Sequence, residues 1–161
     1  MPLLAFADDI QRTKTISVAQ TVAATLHAAN DAVGGKITLL NAVRAGYGSG
    51  VIQSVVISDQ AAQAGSYDVV FFNADPSATT ITDDGAFDIA DADLAKVICM
   101  IPVTTTSTFA DNGVTSTSNA GCAFLIADTT LTTIYAAIVA RSTPTYAATT
   151  DVAIKVTIFQ D

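Results

Sequence analysis

The segment Val152 to Phe159 reads VAIKVTIF, the cleanest alternation in the chain, with Val or Ile at every second position. A repeat of two places successive side chains on opposite faces of a strand, and it cannot sit on one face of a helix. Shorter β-rich runs recur along the chain: VIQSVVIS at Val51–Ser58, YDVVFFN at Tyr67–Asn73 and TIYAAIVA at Thr133–Ala140. Composition agrees, with 29 Ile and Val against 8 Leu, and 23 Thr. Such β-branched residues lose rotamer freedom in helices and pack well on pleated sheets. The 29 Ala favour helices and pull the other way. All 15 acidic residues are Asp, an acid suited to turns and caps, and Glu, the usual acid of exposed helix surfaces, is absent.

Along the chain, residues 1–15 read as an extended N-terminal arm, because Pro2, Asp8, Asp9, Arg12 and Lys14 interrupt any periodicity. Thr15–Leu26 leans to strand, although Val18, Val22 and Leu26 also fall four apart. Lys36–Val43 follows a Gly-Gly turn, and GYGSG before Val51 is a flexible turn and a potential contact loop. Val51–Ser58 and Tyr67–Asn73 are expected to be a hairpin or neighbours, the second ending at Asp75-Pro76. Thr79–Thr82 is a candidate short strand, and Ile89–Lys96 is the best short helix, with Asp91 or Asp93 placed to cap it. Val97–Thr104 continues into Thr105–Thr108, and Thr115–Asn119 is read as a link to a strand at Ala120–Ala127. Ser142–Thr150 is a loop or edge before the last strand. The expectation is a single domain over 1–161: an all-β, antiparallel, jelly-roll-like β-sandwich of about eight strands with one short helix.

Charge excludes several partners. A net charge of −8 with 7 basic residues leaves no basic patch for a phosphate backbone, so nucleic acid and anionic membrane are not expected partners. The longest apolar runs, such as Val97–Val103, are far shorter than the roughly 20 residues a spanning helix needs. Met1–Phe6 lacks a basic leader region and runs into Asp8-Asp9, so a soluble chain made in a cytoplasm is expected. Cys99 and Cys122 lie in apolar runs and read first as buried free thiols; a bridge needs their strands to be neighbours.

Catalytic signatures are sparse. His27 is the one histidine, read as a polar residue beside a turn, and a triad or multi-histidine metal site has little to draw on. Ser49 is flanked two residues away by Tyr47 and Val51, so it makes no nucleophile elbow, and a strand follows the GYGSG turn where phosphate loops require a helix. Asp83, Asp84, Asp88, Asp91 and Asp93 offer oxygen ligands for calcium, but their spacing fits no EF-hand, and turn and cap duties are the expected use. With no Trp and 4 Tyr, a stacking platform for sugars or bases is thin. No catalytic residue, cofactor or metal is expected, and the chain is not expected to be an enzyme.

Charged residues make up 14% of the chain, against roughly 25% in a typical soluble domain. Sheet edges then lack their usual charged guards, and covering by copies or by a partner is one way to manage them. The stretch Asp31–Ser77, with GGKITLLNAV and FFNADPS, and DIADADLAKVI at Asp88–Ile98 resemble a family of tailed-bacteriophage head decoration, or cement, proteins. Tyr146–Asp161 is similar in style. The resemblance implies a β-sandwich that binds the outer capsid surface in the virion and stabilises the lattice of the phage major capsid protein, as a homotrimer or other small homo-oligomer. It carries over no site residue. A tail or vertex module binding a receptor or glycan is the alternative. The arm, through Pro2, Leu3, Leu4, Phe6, Arg12 and Lys14, is expected to contribute to contacts, as a strand added to a neighbour's sheet edge.

Overall fold

A computed structural model describes residues 12–161. Among the described residues nine strands form two antiparallel sheets. In chain order they are β1 (Thr13–Ala19), β2 (Ile37–Leu39), β3 (Ser49–Asp59), β4 (Tyr67–Phe72), β5 (Val97–Val103), β6 (Thr105–Thr108), β7 (Gly113–Leu125), β8 (Ile134–Ala140) and β9 (Val152–Gln160). The five-stranded sheet has the order β1-β9-β3-β7-β6, and the four-stranded sheet β2-β8-β4-β5. The chain is therefore an all-β sandwich, as its alternation predicts.

The core lies between the sheets. Val152, Ile154, Val156 and Ile158 of β9 and Ile52, Val55 and Ile57 of β3 are buried there, facing Val69 and Phe71 of β4 and Ile138 of β8. The step from Ile52 to Val55 breaks the period of two, and the register shifts at the same place. Gln53 is the extra residue against β9, and on β7 the residues Asn119 to Gly121 bulge opposite it. Asn119 and Gly121 both take positive φ, and Gln53 Nε2 donates to Asn119 Oδ1 at 2.7 Å. That bulge lets β7 continue through Thr115–Asn119, the stretch whose small polar residues read as a link.

The two sheets differ on their outer sides. All six residues of β4 are buried, because the chain between β4 and β5 runs over the outer side of the four-stranded sheet. Phe87 and Ile89 of that segment pack on Val70, Phe72 and Val139. Among the described residues nothing comparable covers the five-stranded sheet.

Several local expectations are corrected. β3 and β4 are not paired; they lie in opposite sheets. The buried carboxylate of Asp59 accepts hydrogen bonds from the N–H groups of Ala61 and Gln63, and Ala62 takes a positive φ, so the chain turns out of one sheet towards the other. The helix is a 3₁₀ turn at Asp91–Lys96 without a side-chain cap. Thr79–Thr82 forms no strand, since the Thr79 N–H and hydroxyl both bond Asp93. The segment read as Lys36–Val43 is strand only over β2, and that read as Thr15–Leu26 only as far as Ala19. Cys99 and Cys122 are not free thiols: β5 and β7 meet at one rim of the sandwich, and a disulfide joins the two sheets there.

Candidate interaction surface

Alternation along the strands builds the outer face of the five-stranded sheet. Inward positions are taken mainly by buried Val and Ile residues, which leaves mostly Thr, Ser and Ala at the positions between. Reading across the register, one row is Thr13, Phe159, Val51 and Ala123; the next is Thr15, Thr157, Ser54 and Ser118. Then follow Ser17, Lys155, Val56, Ser116 and Thr105, and finally Ala19, Ala153, Ser58, Val114 and Ser107. Lys155 is the one charged residue in these rows. The side chains are short, and neighbours satisfy one another, as in the bond between the Thr15 and Thr157 hydroxyls at 3.2 Å.

One corner of this face is apolar. Phe159 is 45% exposed and Leu125 57% exposed. A shallow groove of about 270 Å³ runs there, lined in part by Val51, Ala123, Phe124 and Phe159 and bounded by Arg12 and Asp161.

The residues expected in an arm divide. Pro2, Leu3, Leu4 and Phe6 lie outside the described residues. Arg12 is exposed; its guanidinium is 3.6 Å from Asp161, and its carbonyl accepts the Gln160 N–H. Lys14 is not in an arm but in β1, opposite Ile158. The strand begins at Thr13 because Thr, Ile and Val alternate from there, and the basic side chains that seemed to break the pattern project from an exposed edge.

The acidic cluster does not converge. Asp83 turns inward: its carboxylate accepts the Ala23 N–H at 2.5 Å and the Gly34 N–H at 2.6 Å, and it meets His27 Nε2 at 3.0 Å. Asp93 is buried 10 residues further on, where its carboxylate bonds Lys96 Nζ at 2.6 Å, the Ala78 N–H, and the Thr79 N–H and hydroxyl. The Lys96 ammonium and the Thr79 donors hold the Asp93 carboxyl down at about 2. Asp84, Asp88 and Asp91 stay exposed. Among the described residues no three His, Cys, Asp or Glu side chains are placed to hold a metal ion.

His27 does stand beside a turn, the exposed one at Ala28–Asp31, but its own side chain is fully buried. Its ring meets the edge of Tyr146 at a centroid distance of 5.1 Å, and the Tyr146 hydroxyl lies 3.1 Å from that of Tyr67. Burial pushes the Tyr67 phenol up to about 12, and burial also raises Tyr146. Burial likewise raises Asp59, which its two backbone donors only partly offset. This polar cluster is sealed inside the sandwich. A surface hollow of about 440 Å³ is lined mainly by Ala and Thr, with Asp88 its one titratable side chain.

The GYGSG segment is a packed turn. A Cβ at Gly46 would come within 1.8 Å of the Thr129 carbonyl oxygen, so only glycine fits there. Tyr47 at its tip is 64% exposed with a φ of 57°. No helix among the described residues is long and apolar enough to cross a membrane.

The sparsely charged face escaped the sequence reading because its polar residues look like loop composition. The register of β9, whose outward residues are Ala153, Lys155, Thr157 and Phe159, was the signal available.

Fold and surface together define an all-β sandwich with one covered and one bare sheet. No protein-family model matches the chain, and no curated protein matches it. Among solved structures it shows a weak likeness to particles of infectious bursal disease virus. Against the Gx strain the identity is 13% with a TM-score of 0.35, covering 92% of this chain and 32% of the viral chain. Against the Gt strain the values are 13%, 0.34, 92% and 32%. For the VP2 subviral particle of the same virus they are 10%, 0.22, 93% and 41%. The chain thus spans about a third of the first two viral chains, and a likeness this low carries no argument.

Proposed function

We propose that the chain is a non-enzymatic virion structural protein: a decoration or cement protein that binds the outer surface of a phage head and stabilises the major capsid protein lattice. The observation that carries this reading is the bare five-stranded face, whose four successive rows hold Lys155 as their one charged residue on a chain of net charge −8. Interface cores are depleted in charge, and a sheet face of mostly short side chains can pack closely on another surface. The sequence resemblance to phage decoration proteins supplies the lattice as partner. On such a lattice each contact is weak, but once one subunit in a small oligomer is held the others bind at high effective concentration.

Quantitative mass spectrometry of purified virions, with the major capsid protein as internal standard, tests this. A ratio near one copy per capsid subunit is expected. Tens of copies or fewer would move the chain to a tail or vertex, where receptor or glycan binding becomes the better reading, and complete absence would overturn a virion role. Removing residues 2–11, which leaves β1 whole, should weaken rebinding to stripped particles without altering the circular dichroism spectrum.

A further inference from the structure

Among the described residues the two sheets end in four edge strands, and β7 is also open beyond the four residues that β6 covers; all but β1 are blunted, β7 by its bulge at Asn119–Gly121. β2 has three residues, β6 has four, and β5 carries Pro102 and an irregular register with β4. β1 is the exception: seven residues, TKTISVA, in unbroken register with β9, and among the described residues no strand pairs with its other side. The Arg12 carbonyl accepts the Gln160 N–H, and the Gln20 N–H donates to the Val152 carbonyl. Antiparallel strands alternate the side to which their backbone bonds point, so Lys14, Ile16 and Val18 also bond towards β9. Thr13, Thr15, Ser17 and Ala19 then aim their N–H and C=O groups at the open edge.

We infer that β1 pairs with β1 of a second copy, antiparallel about a two-fold axis at Ile16, joining two five-stranded sheets into one. The sequence is complementary to itself in this register. Thr15 faces Ser17 of the second copy and Thr13 faces Ala19, so all four outward-bonding residues find partners. Ile16 faces Ile16 as a non-hydrogen-bonded pair, where side chains come closest and β-branched pairs stabilise. Lys14 faces Val18, which sets the two Lys14 residues about four residues, roughly 13 Å, apart along the strands. Each residue sees its counterpart's partner, as two-fold symmetry requires. The edge carries no carboxylate. The repulsion that remains is the long-range one between two chains of net charge −8, and salt screens it. This inference stands apart from the virion reading: a dimer that ignores capsids would keep this inference and overturn that reading.

Sedimentation equilibrium of the full chain, from micromolar to millimolar and with added salt, should show the mass rise from 16.5 kDa towards twice that value, more strongly at high salt. Ser17→Pro removes one outward N–H and no bond to β9, so it should keep the native spectrum and remain a monomer. Ile16→Cys tests the register without needing proline to be tolerated: oxidation should give a covalent dimer on non-reducing gels, whereas Thr13→Cys should not. A monomer at all concentrations overturns the inference. So does a dimer unaffected by Ser17→Pro, or dimerisation that appears only after residues 2–11 are removed, which would mean that the chain's own N-terminus covers the edge.

Discussion

The imidazole of His27 lies 3.0 Å from the Asp83 carboxylate and joins segments that belong to no strand. The same carboxylate holds the N–H groups of Ala23 and Gly34, so the chain between β1 and β2 is fastened to the segment that covers the four-stranded sheet. Loops cannot bury backbone without such partners, and one Asp serves two backbone donors and the imidazole.

Removing that acceptor should therefore be costly. Asp83→Ala leaves the buried His27 nitrogen and two backbone donors without it, at roughly 1–3 kcal/mol for each group that stays buried. A loss of about 2–4 kcal/mol in urea unfolding is expected, with Asp83→Asn intermediate. A change below about 0.5 kcal/mol, the range of ordinary surface substitutions, would show that the junction is not structural.

The Cys99–Cys122 bridge links β5 to β7 across 23 residues of chain. Loop closure in the unfolded state gives about 3 kcal/mol for a loop of this size. Cys99→Ala with Cys122→Ala should lower the melting temperature by about 6–12 °C while the fold persists. Scanning calorimetry with and without reductant checks it: the wild type should show the loss on reduction and the double variant should show none.

Legibility in the sequence followed the range of the interactions. β9, β8 and β4 were readable because burial by the core writes a pattern into neighbouring residues, as in VAIKVTIF. The sheet assignment of β3 and β4 was not, because seven residues can close a hairpin or cross a sandwich, and the choice lies in whether Asp59 folds back on Ala61 and Gln63. The interaction face was hidden for a related reason. Thr115 to Asn119 is loop-like in composition, and only the bulge opposite Gln53 shows that β7 runs through it. His27 and Asp83 are 56 residues apart, and no local pattern announces a contact at that distance.

Acid should reveal Asp93. Its folded carboxyl sits at about 2, below the ordinary value near 3.9, so the native state holds the charge after the unfolded chain has taken up a proton. The stability it supplies is complete above about pH 4 and is lost as pH falls towards 2. Asp93→Asn keeps an oxygen acceptor but not the charge facing Lys96. The gap between wild type and variant in chemical denaturation should be widest near neutral pH and close between pH 4 and 2; a gap constant with pH would show that Lys96 and Thr79 do not stabilise the ionised form.

Alkali should do the same for Tyr67, whose phenol is raised to about 12 by burial. Its contribution is complete below the ordinary tyrosine value near 10, where neither state is ionised. Above that the unfolded chain loses its proton first, and stability falls as pH rises towards 12. Tyr67→Phe removes the titration along with the bond to Tyr146, so the variant should be less stable at pH 8 and lose less than the wild type between pH 10 and 12.

The bare face allows its role to be separated from stability. Ser54 lies in the middle row, between Thr157 and Ser118, and is half-buried. Ser54→Glu places an acid where the sheet carries none. With solvent above it, the folded chain should change by no more than about 0.5 kcal/mol. Against an uncharged partner surface the same carboxylate must be desolvated, and affinity for stripped particles should fall at least tenfold. Thr80→Glu, on an exposed part of the covered side, serves as the control and should bind like the wild type. Equal loss in both variants would trace the effect to net charge, and no loss in Ser54→Glu would move the contact off this face.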